Sequence, residues 1–174
     1  MIGRAGVISR AAMSLESVRA WLEAHAPDLS LIEVAASTAT VATAAEALGV
    51  APGRIAKTLA VRADDRVFLL VARGDARLDN AKTKAEFGAR PRMLGPEEIV
   101  ALTGHPVGGV CPFGLATPLP VYLDVSLRAY ERVYPAAGSL NTSVEVSPGR
   151  LFDLVGKAWV DLCRQPGANA DDPC

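Results

Sequence analysis

The chain has 174 residues, half of them hydrophobic, and a formal net charge of −1. That length and composition suit one compact domain with a substantial core, and they exclude an extended nucleic-acid footprint, which would need a basic excess. Contact with a single nucleic-acid end stays open, because a few cations suffice for it. Aromatics make up 5%, so Val, Leu, Ile and Ala must fill the interior. Cys111, Cys163 and Cys174 form no Cys-x-x-Cys pair and no metal-ligand spacing, which suits a reducing cytosol. No apolar run follows the short basic stretch Met1–Arg10, so neither a signal peptide nor a membrane-spanning helix is expected. Residues 1–13 are expected to form a disordered extension and 165–174 a disordered tail, leaving 14–164 as the folded domain.

Ser14 is placed to cap a helix to about Ala24, with Leu15, Val18 and Leu22 on one face and Pro27 beyond its end. Leu31–Val34 reads as a short strand. Thr40 opens a second helix with Val41, Ala44, Ala45 and Leu48 inward and Gly49 as its stop. Lys57–Arg62 and Arg66–Ala72 read as strands joined across Ala63-Asp64-Asp65. Val67–Val71 is apolar on both faces and should be central. A helix is expected over Leu78–Phe87, an extended piece at Arg92–Leu94, and a helix from Pro96 through Leu102 with Glu97 and Glu98 at its positive end. After a loop come a strand at Leu119–Asp124, a short helix from Ser126 to about Glu131, and a strand at Arg132–Tyr134. A strand at Thr142–Val146, a helix capped by Ser147-Pro148 through Val155, and a strand at Ala158–Leu162 complete the chain. Irregular interleaving of strands and helices, with short strand-to-strand steps, points to α/β or α+β with a mixed sheet.

The loop His105–Gly114 carries three glycines and two prolines in ten residues. Proline lacks an amide donor and glycine loses too much backbone freedom on ordering, so the run is neither ordinary helix nor central strand. Adjacent Gly108 and Gly109 let a backbone approach a ligand closely; a purely structural turn is the other reading. Four of the eighteen basic residues are lysines, and Lys57 sits where an apolar strand begins. A strand end can aim an ammonium into a cleft to hold a phosphate or polarise a carbonyl, or the lysine can simply be solvated. Cys111 with His105 could form a thiol–imidazole pair, but six residues of loop do not fix their geometry. His25 reads as structural. Two histidines eighty residues apart, with no acidic cluster, make no metal site, and no phosphate-binding glycine motif or cofactor signature is present. Arg73, Arg77, Lys82, Lys84, Arg90 and Arg92 form either a local RNA-facing patch or a solvated face. Ser139 and Asn141 could bind a ligand or close a turn, and Asp124 could orient Lys57 or cap the next helix.

Several segments together resemble the YbaK/ProX family of aminoacyl-tRNA editing domains. They are Thr40-Val41, Ala45, Leu48-Gly49-Val50, Ile55–Leu59, Leu102–Gly114, Leu119–Asp124 and Ser147-Pro148 with Leu151 and Leu154. The similarity runs from about Ser14 to Leu162. It implies a single α/β domain with a mixed, barrel-like β-sheet surrounded by helices. It also implies a trans-acting deacylase that hydrolyses the ester of a mischarged small amino acid such as Ala, Ser or Cys on tRNA, typically tRNA for proline. The partners would be the acceptor end of that tRNA and prolyl-tRNA synthetase, in the cytoplasm. No membrane is involved and no cofactor is needed. By the resemblance, Lys57 and the Gly-x-x-x-Pro loop Gly108–Pro112 form the pocket. Lys57, Gly108 and Gly109 would carry the chemistry, with Thr58, Val110, Cys111, Pro112, Phe113, Gly114, Asp124, Ser139 and Asn141 as substrate-binding candidates. The nucleophile would be water or a substrate hydroxyl. The alanine-removing branch typically has Asn after the lysine, where this chain has Thr58; the cysteine-removing branch often has Ser at the Cys111 position and a glycine pair where Ala137-Gly138 stands. The alternatives are a module that binds tRNA ends or aminoacyl groups without turnover, and a thiol enzyme using Cys111.

Overall fold

A computed structural model describes residues 10–166, with side chains from Ser14 onward. The elements in order are α1 (Arg10–His25), β1 (Leu31–Glu33), α2 (Val41–Leu48), β2 (Ile55–Ala63), β3 (Arg66–Arg73), β4 (Arg77–Leu78), α3 (Asn80–Phe87), β5 (Pro91–Met93), α4 (Pro96–Thr103), β6 (Val121–Asp124), β7 (Tyr134–Pro135), β8 (Thr142–Val144), α5 (Pro148–Val155), β9 (Ala158–Val160) and β10 (Cys163–Arg164).

The β2–β3 hairpin is the backbone of the fold. Its register pairs Ala56 with Arg73 through Ala63 with Arg66, and the turn places Asp64 at φ +59°, a conformation aspartate tolerates. The main sheet runs β5-β2-β3-β6-β9, with β7 added beside β2. β2 is antiparallel to β3 and β5, whereas β6 runs parallel to β3 and β9 parallel to β6. The sheet is therefore mixed, and β3 is central as its two-faced apolar run predicts. Leu69 and Val71 point into one core with Val18, Leu123 and Leu151; Phe68, Leu70 and Ala72 point into another with Val61 and Leu162. Strand alternation by two explains the split. Two further pairs, β1 with β8 and β4 with β10, extend the structure beyond the main sheet.

The helix ends follow the capping residues. Thr40 accepts from the Thr43 amide and Gly49 closes α2 at φ +68°. Asp79 caps α3 and Ser147 caps α5 through the Lys82 and Arg150 amides. α1 departs from expectation: it begins at Arg10, so Ser14 lies inside the helix instead of capping it. The Ser14 hydroxyl is buried and spent on His105. The expected extension over residues 1–13 otherwise lies outside the described residues, as does all of the expected tail after Pro166.

Three boundaries near the C-terminus also shift. The expected helix at Ser126 is a 3-10 turn over Val125–Ala129. The expected strand Arg132–Tyr134 is displaced to β7, where Tyr134 and Pro135 pair with Ile55 and Ala56, while Val133 bridges Val146. The expected strand Ala158–Leu162 stops at Val160 as β9: the Asp124 carboxylate takes the Leu162 amide at 2.8 Å, and Cys163 and Arg164 beyond it pair with β4.

Candidate functional site

β2 supplies one wall of a cavity of about 250 Å³. Ala56, Lys57, Thr58 and Ala60 lie along it, and Thr38–Val41 at the start of α2 face them. Val107, Gly108 and Val110 from the glycine loop, Met93 at the end of β5 and Ile99 of α4 close further sides, together with Tyr134, Ala136 and Ser143. The lining is mostly aliphatic. Met93 and Val107 are each 55% exposed, so the mouth is apolar too.

The loop is held by a buried histidine. His105 is 0% exposed, its Nε2 lies 2.7 Å from the Phe113 carbonyl and its Nδ1 2.6 Å from the Ser14 hydroxyl. A carbonyl only accepts, so Nε2 carries the proton and Nδ1 accepts from Ser14. Burial pushes the imidazole pKa down, against the pull of the Phe113 carbonyl, and keeps the ring neutral. The Thr103 hydroxyl takes the His105 amide at 3.1 Å. One ring thereby joins α1 to both ends of the loop.

Glycine is obligatory at two points of this loop. Gly108 stands at φ +92°, and a Cβ there would lie 2.9 Å from Leu140 and 3.0 Å from Ala39. Gly114 stands at φ +58°, and its Cβ would lie 2.7 Å from the Ser17 carbonyl oxygen of α1. The first contact brings the loop against the cavity; the second seats the loop on the helix.

The candidate residues separate on this geometry. Lys57, Thr58, Gly108 and Val110 meet at the cavity. Lys57 is part-buried, and its ammonium donates to the Ala76 carbonyl. Burial lowers its pKa, with Cys163 and Asp75 opposing the shift and Arg77 adding to it. Gly109 does not line the cavity: its amide closes the turn onto Pro106 O at 2.9 Å, and its Cα packs against the Gly138–Ser139 backbone. Cys111, Pro112 and Phe113 are buried behind the loop, and Gly114 faces α1.

Cys111 is 0% exposed and burial pushes its thiol up to about 12. Its sulfur does lie 3.5 Å from His105 Nε2, but that nitrogen's proton is committed to Phe113. A protonated thiol without access or base is a poor nucleophile, which counts against the thiol-enzyme reading. Asp124 is a structural residue: Oδ1 accepts from Ser126 N and Oδ2 from Leu162 N. Ser139 and Asn141 close their own turn, through Ser139 to Asn141 Oδ1 and Thr142 Oγ1 and through Asn141 Nδ2 to Val34 O. His25 is exposed, stacks on Trp21 at 4.4 Å and does not line the cavity.

The basic segment is partly neutralised, with Arg73 paired to Asp75 and Lys82 to Asp161. Among the described residues no cluster of His, Cys, Asp and Glu could hold a metal ion, and no helix is long and apolar enough to cross a membrane. Sequence reasoning missed Thr38, Met93, Ile99 and Tyr134, which come from four segments and share no local motif. Thr38 alone left a trace, two residues before the capping threonine of α2.

Comparison with known proteins bears on this arrangement. The model of the aminoacyl-tRNA editing domain matches residues 35–154. This chain belongs to that family. The match spans both walls of the cavity and the glycine loop between them. The chain is 47% identical over 154 residues to the uncharacterized protein YwhH of Bacillus subtilis, covering 87% of this chain and 98% of that one. It is 31% identical to EbsC of Enterococcus faecalis, described as a candidate Cys-tRNA(Pro)/Cys-tRNA(Cys) deacylase, over 68% of this chain and 73% of that one. A crystal structure described as a candidate trans-editing enzyme for prolyl-tRNA synthetase superposes with a TM-score of 0.80 at 36% identity, covering 87% and 97% of the two chains.

Proposed function

We propose that this protein is a trans-acting aminoacyl-tRNA deacylase, hydrolysing the ester between a mischarged small amino acid and the 3′ end of tRNA, foremost tRNA for proline. The observation that carries the reading is the meeting of Lys57, Thr58, Gly108 and Val110 around one small, mainly aliphatic cavity in a chain of the editing-domain family. A cavity of about 250 Å³ with an apolar mouth suits an aminoacyl group entering from a strand end.

The chemistry needs no protein nucleophile. Water, positioned or deprotonated with help from the neighbouring ribose hydroxyl of the substrate, attacks the ester carbonyl; the developing oxyanion is held by preorganised donors, and the C–O ester bond breaks with the ribose oxygen leaving as a hydroxyl. An ammonium has three donors, and Ala76 O takes one from Lys57. The proposed role requires the others to reach the terminal phosphate or the carbonyl oxygen from an ammonium that sits beside Ala76, Asp75 and Cys163. The Gly108–Val110 backbone shapes the opposite side. The cytosol is the matching compartment, since charged tRNA is found there and Cys111 and Cys163 are free thiols. Prolyl-tRNA synthetase is the natural partner, as the description of the superposed structure suggests for that protein.

The test is a deacylation panel with tRNA for proline charged with Ala, Ser, Thr, Cys, 2-aminobutyrate and Pro. Release of a small non-cognate amino acid is expected, with kcat/KM reduced at least about a hundredfold in Lys57→Ala, the size of losing one oxyanion donor. No release from any charged tRNA would remove the enzyme assignment, and full activity of Lys57→Ala would remove the lysine's role.

A further inference from the structure

Successive residues of a β-strand turn their backbone N–H and C=O groups alternately to its two neighbours, and an edge left unpaired is a template for whatever can pair with it. Strand β2 has such a stretch. On its outer side β7 pairs with Ile55 and Ala56, and β5 with Val61, Arg62 and Ala63. Between them the Ala60 carbonyl accepts from Leu94 N at 3.1 Å, so Ala60 turns its backbone groups outward, away from β3. Its partner across the hairpin agrees: Leu69 sends its own amide away from β2, to Pro120 O at 2.9 Å. Two residues before Ala60, Thr58 has the same orientation by the alternation of the strand. Its N–H and C=O therefore leave the sheet through the gap between β7 and β5, and no group among the described residues pairs with them. The cavity lies in that gap: Tyr134 of β7, Met93 of β5 and Thr58 all line it, together with Gly108 and Val110. Thr58 is half-buried and its hydroxyl oxygen is closed off, so what it exposes is backbone and carbon.

We propose that the open edge of β2 at Thr58 binds the aminoacyl end of the substrate, with the Thr58 N–H as an oxyanion donor. This rests on the deacylase reading of the same cavity. The gap, Lys57 to Leu59, spans about 10 Å, which holds one residue and not a further strand. In an antiparallel pair, residues directly opposite exchange both bonds, each N–H donating to the other's C=O. An aminoacyl ester offers the two complementary groups, an α-ammonium that donates and a carbonyl that accepts. Paired with Thr58, its ammonium donates to the Thr58 carbonyl and its ester carbonyl accepts from the Thr58 N–H. As the oxygen of water bonds to the carbonyl carbon, the displaced electron pair moves onto the carbonyl oxygen that this N–H holds. When the pair returns, the bond to the ribose oxygen breaks and that oxygen leaves with a proton from the water. An amide fixed in a strand needs no reorganisation as the charge develops. The edge reads what every aminoacyl group shares and leaves the side chain to the aliphatic lining.

On the substrate side, the test is binding of the alanyl and propionyl amides of 3′-amino-3′-deoxyadenosine, which resist hydrolysis and differ by the ammonium alone. The alanyl amide should bind at least about tenfold tighter, the size of a hydrogen bond to a charged group. Equal affinities would overturn the proposal. On the protein side, the full chain with Thr58 replaced by its α-hydroxy acid analogue keeps the side chain and exchanges the N–H for an ester oxygen. Single-turnover release of the small amino acid that wild type hydrolyses should fall about a hundredfold, the size of losing one oxyanion donor. Tm should move by no more than about 3 °C, because this N–H has no partner in the fold. An unchanged rate would overturn the proposal, and so would a Tm lowered by about 10 °C, which would assign the N–H to the fold's own ladder. No turnover by wild type, with the alanyl preference retained in binding, would sink the deacylase reading alone. Turnover that survives loss of the N–H, with equal binding of the two amides, would sink the open-edge proposal alone.

Discussion

His105 shows how a residue that looks chemical in sequence is structural in space. Both ring nitrogens are committed, to Ser14 and to Phe113, and the ring is fully buried. Its folded pKa lies below the unfolded value near 6.5, because burial disfavours the cation. The unfolded state therefore binds the extra proton, and folding stability rises with pH through this window. The contribution is fully present above about pH 6.5 and is lost as pH falls toward the folded pKa. Thermal melts of wild type should show a Tm that drops on acidification below that point, and His105→Gln should flatten this dependence while lowering Tm throughout. An equal slope in the variant would assign the pH response elsewhere. Cys111 and Asp124 belong to the same class. Both are buried and partnered within the fold, and neither reaches the cavity.

At the scale of elements, the glycine loop and α1 stabilise one another. The loop bends back at Gly114 onto the Ser17 carbonyl, and His105 reaches Ser14 one turn earlier on the same helix. Gly114→Ala combines a left-handed φ with a Cβ 2.7 Å from backbone oxygen, a contact that no side-chain rotation relieves. A loss of about 2 kcal/mol or more is expected in urea unfolding, with the loop displaced from α1. A change below about 0.5 kcal/mol would show that the seat is soft. Much of this level was legible in the sequence. The two-faced apolar run of β3, the Thr40 and Ser147 caps, and the glycine stops after α2, α3 and α4 each carry a local signal, whereas the α3 cap Asp79 was read as lying inside its helix. The site was half legible. Lys57, Thr58, Gly108 and Val110 were placed through the family resemblance, but Cys111 and Phe113 were drawn in because they sit in the motif's loop, and Asp124 because it ends a strand. Which side of a loop faces a cavity is decided by the helix behind it, and no local pattern encodes the Ser14–His105 contact across ninety-one positions. Thr38 and Met93 escaped for the same reason, as lone residues contributed by separate segments.

The whole molecule sets how tRNA can be held. Net charge is −1, and many cations are already paired: Arg62 with Glu98, Arg73 with Asp75, Lys82 with Asp161 and Arg150 with Asp28. The cavity mouth carries exposed Met93 and Val107 rather than arginines. Under the proposed function, such a surface would grip the unpaired 3′ end by apolar contact and a few charges and would leave the body of the tRNA to a partner. Affinity for nucleic acid falls with salt in proportion to the phosphates neutralised, with a slope of about −0.7 per phosphate on single strands. If Lys57 and one further cation carry the contact, raising salt from about 50 to 200 mM should weaken kcat/KM by less than about tenfold. A charged minihelix carrying only the acceptor stem should then be deacylated about as well as full-length tRNA. A much steeper salt dependence, or a minihelix that fails as substrate, would mean that this chain holds the tRNA body over a basic surface of its own. In that case the partly neutralised segment from Arg73 to Arg92 is where charge-reversal variants should restore the shallow slope.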